Sequence, residues 1–303
     1  MRVWIDNKRG KLRGASIFMT QLEKGLTDLG CTITNRRPNI ALCPVYGKNP
    51  HQCKTVYRID GMYYDTERDK MNKGIKKNIQ FGDGIVFQSN FSKEMCTRML
   101  KCQARQSAVI ANGMDQSVFA GMKKDYSGEL VFVSAAHWRP NKRPGTIAHA
   151  FLESGLDNAR LVFIGDVEPR KQVKHAKIQY AGTKNRKDII ELYKQAHYMI
   201  HICHIDSCPN SVVEGLSAGL PVVCNNIGGT PELVGSSGII ANIEPKFDFR
   251  FLRNMKQIPK VNRAELAKQI RELTNIKEPV RRPDLDISHT AKQYKAFFER
   301  VLA

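Results

Sequence analysis

The chain has 303 residues, 42% of them hydrophobic and 25% charged, which is typical of a globular protein with two domains of ordinary size. Its formal net charge of +19 predicts an anionic partner, and nucleic acid, an anionic membrane surface and phosphorylated small molecules all satisfy it. We find no apolar run near the ~20 residues that span a bilayer, no signal-peptide pattern and no CxxC pair among the eight cysteines. We therefore expect a cytoplasmic protein with reduced thiols, at most peripheral on the membrane face.

The first part of the chain alternates short apolar runs with amphipathic stretches. RVWID at 2–6 predicts a buried strand, and the apolar face of 16–30 predicts a helix that ends at Gly30. Further strands are predicted for NIALCPV, KTVYRID, GIVFQS and SAVIAN, with a basic helix, FSKEMCTRMLK, before the last of them. This order of strand and helix predicts a parallel sheet with helices on both faces.

The alternation stops at 120–128, AGMKKDYSG, which predicts a linker, and then starts again. Six more strands are predicted in ELVFVSA, RLVFIGD, KIQYAG, YMIHIC, PVVCN and GIIA, with helices near 143–154, 186–196 and 210–218. After about residue 260 the pattern is helical. We predict an α/β protein of two Rossmann-like domains, 1–122 and 128–286, facing each other across a cleft that holds the ligand.

The stretch DSCPNSVVEGLSAG contains the first candidate site, at the carboxyl end of the strand YMIHIC. Pro209 suits the start of a helix, and a helix N-terminus can bind a diphosphate through its N–H groups. Glu214 can accept hydrogen bonds from ribose hydroxyls, and Asp206 from sugar hydroxyls. From spacing alone, a helix cap at Asp206 or Ser207 with a solvated Glu214 is the favoured alternative. The N–H groups concerned are those of Asn210, Ser211 and Val212.

The loop HWRPNKRP contains the second candidate site, after the strand ELVFVSA. Its cations can neutralise a diphosphate leaving group. A basic loop packed over Trp138 explains the pattern equally well. The cations are Arg139, Lys142 and Arg143.

Two glycine positions lie after predicted strands, where the backbone either approaches a ligand or turns tightly. Gly14 stands in KLRGASIF, which lacks the GxGxxG fingerprint of dinucleotide sites. Gly228 and Gly229 stand in NIGGTPELV. Both interpretations stay open for each position.

No metal site is predicted. Asp284 and Asp286 form an Asp-x-Asp pattern, but it precedes the terminal helix, where capping is the simpler explanation. A second cluster contains His and Cys, but successive residues of a strand point to opposite sides, which makes a common site awkward. Its members are His197, His201, Cys203, His204 and Cys208.

Taken in order, RGAS, IANGMDQSVF, HWRPNKR and DSCPNSVVEGLSAGLPVVCNNIGGTPELV resemble the retaining glycosyltransferases of family 4, which have the GT-B fold. That family has an acid–seven residues–acid motif, which Asp206 and Glu214 match. The resemblance covers nearly the whole chain. It implies transfer of a hexose from a nucleotide-diphosphate sugar, UDP- or GDP-linked, without a metal or other cofactor. It also implies that a C-terminal helix, 287–303, packs back on the N-terminal domain.

The same resemblance implies a role for each matching residue. Glu214 holds the ribose, and Asp206 binds the transferred sugar near its reactive face. Lys142, with Arg139 or His137, neutralises the leaving group. Backbone contacts with the donor are implied at Asn210, Ser211, Val212, Gly228 and Gly229, and from the other domain at Gly14 and Ala15.

The implied partners are the nucleotide sugar and a glycan, lipid-linked or lipopolysaccharide-type acceptor. Basic segments at 67–81 and 91–106 fit an anionic membrane surface and fit a solvated face equally well. One alternative is a nucleic-acid-binding protein, or a DNA-modifying glycosyltransferase, on the same scaffold, although no helix-turn-helix, zinc-finger or RNP pattern is present. Another is a nucleotide-sugar epimerase of the same fold, which the block at 203–234 fits less well.

Overall fold

The computed structural model describes residues 1–7 and 14–303, and only the backbone of Gly14 and Ala15. These residues divide into two compact units, each with one parallel six-stranded sheet. The first unit comprises Met1–Asp115, Asp248–Asn254 and Pro283–Ala303, and the second comprises Gln116–Phe247 and Met255–Arg282. The predicted α/β class with two Rossmann-like sheets is confirmed.

The strands and helices follow the predicted alternation. The strands are β1 (Arg2–Ile5), β2 (Thr32–Ile33), β3 (Ile40–Pro44), β4 (Lys54–Ile59), β5 (Gly84–Phe87), β6 (Ser107–Val109), β7 (Leu130–Ala135), β8 (Ala159–Ile164), β9 (Ile178–Gly182), β10 (Tyr198–His201), β11 (Val222–Asn225) and β12 (Gly238–Ala241). The helices are α1 (Gly14–Asp28), α2 (Asn72–Phe81), α3 (Asn90–Leu100), α4 (Pro144–Glu153), α5 (Arg186–Gln195), α6 (Asn210–Ser217), α7 (Thr230–Val234), α8 (Arg263–Leu273) and α9 (Ile287–Leu302). Within the described ranges, no helix has the length and apolarity needed to cross a membrane.

Helix α2 was not predicted from the sequence. Its sequence, NKGIKKNIQF, is mostly polar, and Ile75 and Ile79 are its two buried apolar residues. A stripe of one residue per turn is too narrow to stand out as an amphipathic pattern. Packing on the first sheet therefore decides this helix.

The C-terminal helix α9 packs on the first unit, as predicted. It shares one buried apolar cluster with β1 and α1, and Tyr294 and Phe298 are fully buried there. A Cβ on Gly84 would come within 2.7 Å of Val301 Cγ2, so β5 and α9 are in close contact. Asp286 caps this helix by accepting a hydrogen bond from Ser288 N at 2.8 Å, which confirms the capping interpretation for Asp286.

The boundaries between the units differ from the predicted 122–128 and 286. The chain passes from one unit to the other at 115/116 and at 282/283, and 248–254 belongs to the first unit. Gln116 Nε2 donates to Ser217 Oγ and Arg282 O, so it belongs to the second unit. Lys124, in the predicted linker, donates to the carbonyls of Tyr193 and Lys194 at the end of α5. Such long-range hydrogen bonds leave no trace in local composition.

The second sheet has the strand order β12-β11-β10-β7-β8-β9. Successive strands extend the sheet in one direction from β7 and in the other from β10. The switch point of such a sheet lies between those two central strands, and loops leaving their carboxyl ends line its ligand crevice. Residues 136–143 follow β7, and residues 202–209 follow β10. The fold therefore places both predicted site loops at the same point.

Candidate active site

The two loops meet in an ion pair between Lys142 and Asp206. Lys142 Nζ donates to Asp206 Oδ2, and both side chains are largely buried. Burial alone would lower the pKa of Lys142, but the carboxylate raises it above its usual value. Burial alone would also raise the pKa of Asp206, but the ammonium holds it below its usual value. Both groups are therefore charged at neutral pH.

Asn141, the residue before Lys142, ties the same loops together through the backbone. His204 N donates to Asn141 O at 3.0 Å, and Asn141 Nδ2 donates to His204 O at 3.2 Å. The amide also donates to Cys203 Sγ at 3.3 Å. These hydrogen bonds fix the backbone position from which the Lys142 side chain extends. The sequence analysis missed Asn141, because an amide in a loop carries no signal of its partner.

Arg143, the next residue, enters a buried charge network instead of the ligand site. Its guanidinium makes two hydrogen bonds to Glu244, at 2.6 and 2.9 Å, and Glu244 is fully buried. His204 Nδ1 lies 2.8 Å from Glu244 Oε2, and Asn225 Nδ2 donates to Glu244 Oε1 at 2.8 Å. Burial alone would raise the pKa of Glu244, but His204 and Arg143 hold it below its usual value. The guanidinium of Arg143 is therefore committed to Glu244, and Lys142 is the cation of this loop that pairs with Asp206.

Helix α6 starts where the sequence predicts, after Pro209. Val212 N already donates to Pro209 O at 2.9 Å, so the predicted diphosphate contact of that amide conflicts with a hydrogen bond inside the turn. Asn210 and Ser211 open the helix and stay predicted contacts. Their role is not changed by the geometry, because the first N–H groups of a helix lie beyond the reach of intrahelical acceptors.

Glu214 does not lie solvated on the helix surface. Arg186, the first residue of α5, donates to Glu214 Oε1, and the Tyr193 hydroxyl lies near the carboxylate while donating to Ser211 O at 3.3 Å. Burial raises the pKa of Glu214, and Arg186 and Tyr193 partly offset that rise. The sequence analysis missed both Arg186 and Tyr193. A basic residue after the carboxyl end of β9 was the available signal for Arg186.

Gly228 and Gly229 lie against the Asp206 loop. Gly229 N donates to Asp206 O at 2.7 Å, so this amide is already used. Gly228 has a φ of 93°, and a Cβ there would come within 2.8 Å of Asp206 O. The two glycines therefore let the loops approach each other. Their predicted contact with a donor stays a prediction.

The remaining predicted residues are not part of the ion pair. His137 and Arg139 lie on the β7 loop with exposed side chains, and Arg139 O accepts from Lys142 N at 2.9 Å. Trp138 packs against Phe163 under this loop, with ring centroids 5.3 Å apart. α1 begins at Gly14, while 11–13, the preceding part of KLRG, lie outside the described residues. The roles of Gly14 and Ala15 stay predictions.

Two further side chains come together with Asp206 beside Lys142. The ligand atoms of His201, Cys203 and Asp206 all lie within 4.8 Å of one another. His201 is 3% exposed, and its Nε2 is buried without a hydrogen-bond partner. Burial and Lys142 lower the pKa of His201 to about 3, so the imidazole is neutral. His204, which faces Glu244, is separate from this group, as the alternation of a strand predicts.

A separate open groove of about 1170 Å³ lies in the first unit. Asn39, Lys54 and Asp83 line it, and all three stand at or next to the amino ends of strands. Ligands of open α/β sheets bind at the carboxyl ends. We therefore assign the candidate active site to the ion pair and not to this groove.

The second unit matches a known protein family. Residues 127–274 match the family model described as "Glycosyl transferases group 1". The second unit is a glycosyl transferases group 1 domain. Lys142, Asp206, Glu214 and Glu244 all lie within this group 1 domain.

Two Escherichia coli proteins resemble the chain in sequence. The O-antigen chain mannosyltransferase B is 32% identical over 65 residues, which are 22% of this chain and 17% of that protein. The UDP-Gal:alpha-D-GlcNAc-diphosphoundecaprenol alpha-1,3-galactosyltransferase is 24% identical over 208 residues, 59% of this chain and 53% of that protein. The chain thus spans about half the length, or less, of these relatives.

Solved structures extend the similarity to the whole chain. A glycosyltransferase from Rickettsia africae has a TM-score of 0.64 at 15% identity, covering 99% of this chain and 98% of that one. HepE from Anabaena, in complex with UDP and glucose, has a TM-score of 0.65 at 14% identity, covering 99% of both. At such identities the likeness shows the fold alone, and it confirms the predicted GT-B class.

The buried Glu244 network is expected to stabilise the group 1 domain. Glu244→Gln leaves the Arg143 charge without its buried partner and should lower the free energy of unfolding by about 3–5 kcal/mol. Because the pKa of Glu244 is lowered on folding, its contribution is present above the unfolded pKa and is lost as pH falls through the folded one. The variant should lack this pH dependence.

Urea unfolding followed by Trp138 fluorescence, in a Trp4→Phe background, isolates this unit. The matched control is Glu129→Gln, which breaks the exposed pair with Arg160 and should cost less than about 1 kcal/mol. Equal losses in the two variants would contradict a structural role for the network.

Proposed function

We propose that the chain is a glycosyltransferase that moves a hexose from a UDP- or GDP-linked sugar to a glycan, lipid-linked or lipopolysaccharide-type acceptor. The observation that carries this proposal is the Lys142–Asp206 ion pair at the switch point, just before helix α6, which carries Glu214. An anion-binding helix start, a buried cation and two acids stand together in a group 1 domain. This is the set that a charged nucleotide sugar requires.

The relatives support the substrate classes of the proposal. HepE was solved with UDP and glucose, and the E. coli galactosyltransferase is named for a UDP-galactose donor and a diphosphoundecaprenol-linked acceptor. The mannosyltransferase is named for an O-antigen chain. We carry these classes to the chain as proposals. The nucleic-acid alternative is not favoured, because the comparisons point to glycosyl transfer.

The chemistry follows from where charge develops. In glycosyl transfer the sugar becomes oxocarbenium-like, and the diphosphate leaves with growing negative charge. Lys142 and the positive end of α6 stabilise that charge without reorganising, so we propose a metal-independent reaction. Asp206 accepts hydrogen bonds from the sugar hydroxyls and holds the ammonium in place before the donor binds. Because Asp206 is committed to Lys142, we propose that no covalent glycosyl intermediate forms. Configuration is retained because the acceptor hydroxyl attacks the anomeric carbon from the side on which the diphosphate leaves, and its proton passes to the departing phosphate.

The Glu214 carboxylate has one oxygen bound to Arg186. We propose that the other accepts the ribose hydroxyls. Arg186 acts as a positioning residue, because it keeps a buried carboxylate ionised and fixes its orientation. Asn210 and Ser211 bind the diphosphate between the two acids.

The basic charge of the first unit supports a membrane-bound acceptor. Lys73 and Lys77 are exposed on α2, and so are two apolar side chains: Met71, just before the helix, at 42%, and Phe81, its last residue, at 69%. Cations beside exposed apolar groups are the pattern of a surface that binds anionic lipid. We propose that α2 lies on an anionic membrane that presents the acceptor.

The leaving-group role of Lys142 predicts a large loss of turnover. Lys142→Met removes the charge and should lower kcat for donor hydrolysis in water, a reaction that needs no acceptor, by about 10²–10³-fold. The measurement is release of UDP or GDP from a panel of nucleotide hexoses. Lys174→Met, at an exposed lysine of the same unit, is the control. Equal turnover in the two variants would remove Lys142 from the mechanism.

The ribose role of Glu214 predicts a loss of nucleotide binding. Glu214→Gln should raise the calorimetric Kd of the preferred nucleoside diphosphate by about 10–100-fold, because a hydrogen bond to a charged group is lost. The 2′-deoxynucleotide should bind the wild type as weakly as the variant. If removing the 2′-hydroxyl instead lowers the affinity by the same factor in the wild type and in the variant, Glu214 does not contact the ribose.

Arg186 gives this experiment a readout that a general structural defect would not move. Arg186→Ala removes the cation that opposes the raised pKa of Glu214, so the loss of affinity on acidification should begin at a higher pH than in the wild type. Lys187→Ala, on the same helix, should leave the pH profile in place. Identical profiles for the two variants would rule out the positioning role.

Vesicle binding tests the proposed membrane surface. The protein should sediment with phosphatidylglycerol vesicles and not with phosphatidylcholine vesicles, and high salt should release it because the attraction is screened. Met71→Ser with Phe81→Ser should weaken sedimentation. Ile240→Ser, at a similarly exposed apolar residue of the second unit, should not. Binding that ignores lipid charge would contradict the proposal.

A further inference from the structure

The group of His201, Cys203 and Asp206, here called the HCD cluster, has an arrangement that glycosyl transfer does not explain. His201 ends β10, and the other two residues lie in the loop that follows. The three ligand atoms lie within 4.8 Å of one another. One imidazole nitrogen, one sulfur and one carboxylate oxygen form a donor set that suits Zn²⁺ and similar soft divalent cations.

We propose that the HCD cluster is a binding site for a soft divalent cation of the Zn²⁺ type, which occupies it in place of the Lys142 ammonium. The ligands are His201 Nε2, Cys203 Sγ and one Asp206 oxygen. The fourth position of a tetrahedral site is left to water or another ligand.

The unpartnered nitrogen of His201 is the first support. Only 3% of the surface of His201 is exposed, and its Nε2 has no hydrogen-bond partner. Leaving a buried polar atom without a partner costs free energy, and such exceptions call for an explanation. A cation at the HCD cluster supplies that partner.

Lys142 is the second support. Its ammonium already binds Asp206, whose carboxylate lies within 4.8 Å of Cys203 Sγ, so the loops accommodate a positive charge beside two of the three ligands. Zn–ligand bonds of about 2.0–2.3 Å place tetrahedral ligand atoms about 3.3–3.8 Å apart. The ligand atoms are at most 4.8 Å apart, so each distance between them has to shorten by no more than about 1.5 Å when the cation binds.

Neighbouring His and Cys side chains do not belong to this site. His204 Nδ1 is bound to Glu244, and His197 is bound to Val131 N and Asp125 O. The site therefore consists of the HCD cluster and excludes the rest of the His/Cys stretch in the sequence.

Charge and protons balance when the divalent cation replaces the Lys142 ammonium. Cys203 binds as a thiolate and its proton passes to solvent, while the Lys142 ammonium leaves the cluster with its charge. Cation binding itself does not depend on the proposed function. Its consequence does, because a bound cation takes Asp206 and Lys142 away from the donor and should inhibit nucleotide-sugar binding.

Co²⁺ is the spectroscopic probe. In Lys142→Met the competing ammonium is gone and Asp206 is left without its cation, so Co²⁺ should bind about tenfold more tightly than in the wild type. A thiolate-to-cobalt charge-transfer band in the near ultraviolet should accompany binding. Adding Cys203→Ser should abolish that band, and adding Cys53→Ser, at the half-buried cysteine, should not. No band in Lys142→Met, or a band that survives Cys203→Ser, overturns the proposal.

The wild type provides the second measurement, which does not depend on how Lys142→Met folds. Zn²⁺ should bind to it in calorimetry, and His201→Gln should weaken that binding. No Zn²⁺ binding to the wild type overturns the site. Binding that leaves the Kd of UDP and GDP unchanged upholds the site and overturns its inhibitory role. If nucleotides fail to bind even in the absence of Zn²⁺, while Zn²⁺ itself binds, the proposed function is rejected and the site is upheld.

Discussion

The Lys142–Asp206 ion pair is the interaction on which the candidate site depends. It joins the loops that leave β7 and β10, the two strands on either side of the switch point of the second sheet. Two buried charges gain little net stability from each other, because each loses its hydration. The gain lies in preorganisation, since a cation and an acid are held ready where a charged donor would bind. The proposed transfer and the proposed cation exchange are two uses of this one pair.

A second layer of polar contacts fixes the loops that carry the pair. Asn141 pairs with His204, and Arg143 with Glu244, so the residues on both sides of Lys142 are tied to other parts of the same unit. Two adjacent cations of one motif thus bind different carboxylates. Lys142 faces the site, while Arg143, with a φ of 51°, turns into the interior. An arginine suits that place, because its planar guanidinium binds a carboxylate through two hydrogen bonds.

Helix α5 plays a comparable part for Glu214. Its first residue, Arg186, binds the carboxylate that the motif singles out, and its buried Tyr193 donates to Ser211 O, in the first turn of the helix that carries this carboxylate. Lys124 binds the carbonyls at the other end of the same helix. The orientation of Glu214 on α6 is therefore fixed by α5, a helix that precedes it in the chain. Its charge and orientation depend on packing as much as on the motif.

The sequence by itself determined the described strands except the two-residue β2, most of the helices and the two candidate loops. Apolar runs such as ELVFVSA and YMIHIC are local signals, and the parallel order places the ends of their strands on one edge of the sheet. It also singled out Lys142, Asp206 and Glu214, whose types and spacing match a family motif. Only the tertiary structure decided their partners. Arg186 binds Glu214 from another helix, and Glu244 binds Arg143 from the loop after β12; side-chain contacts over such separations are set by packing and leave no local pattern.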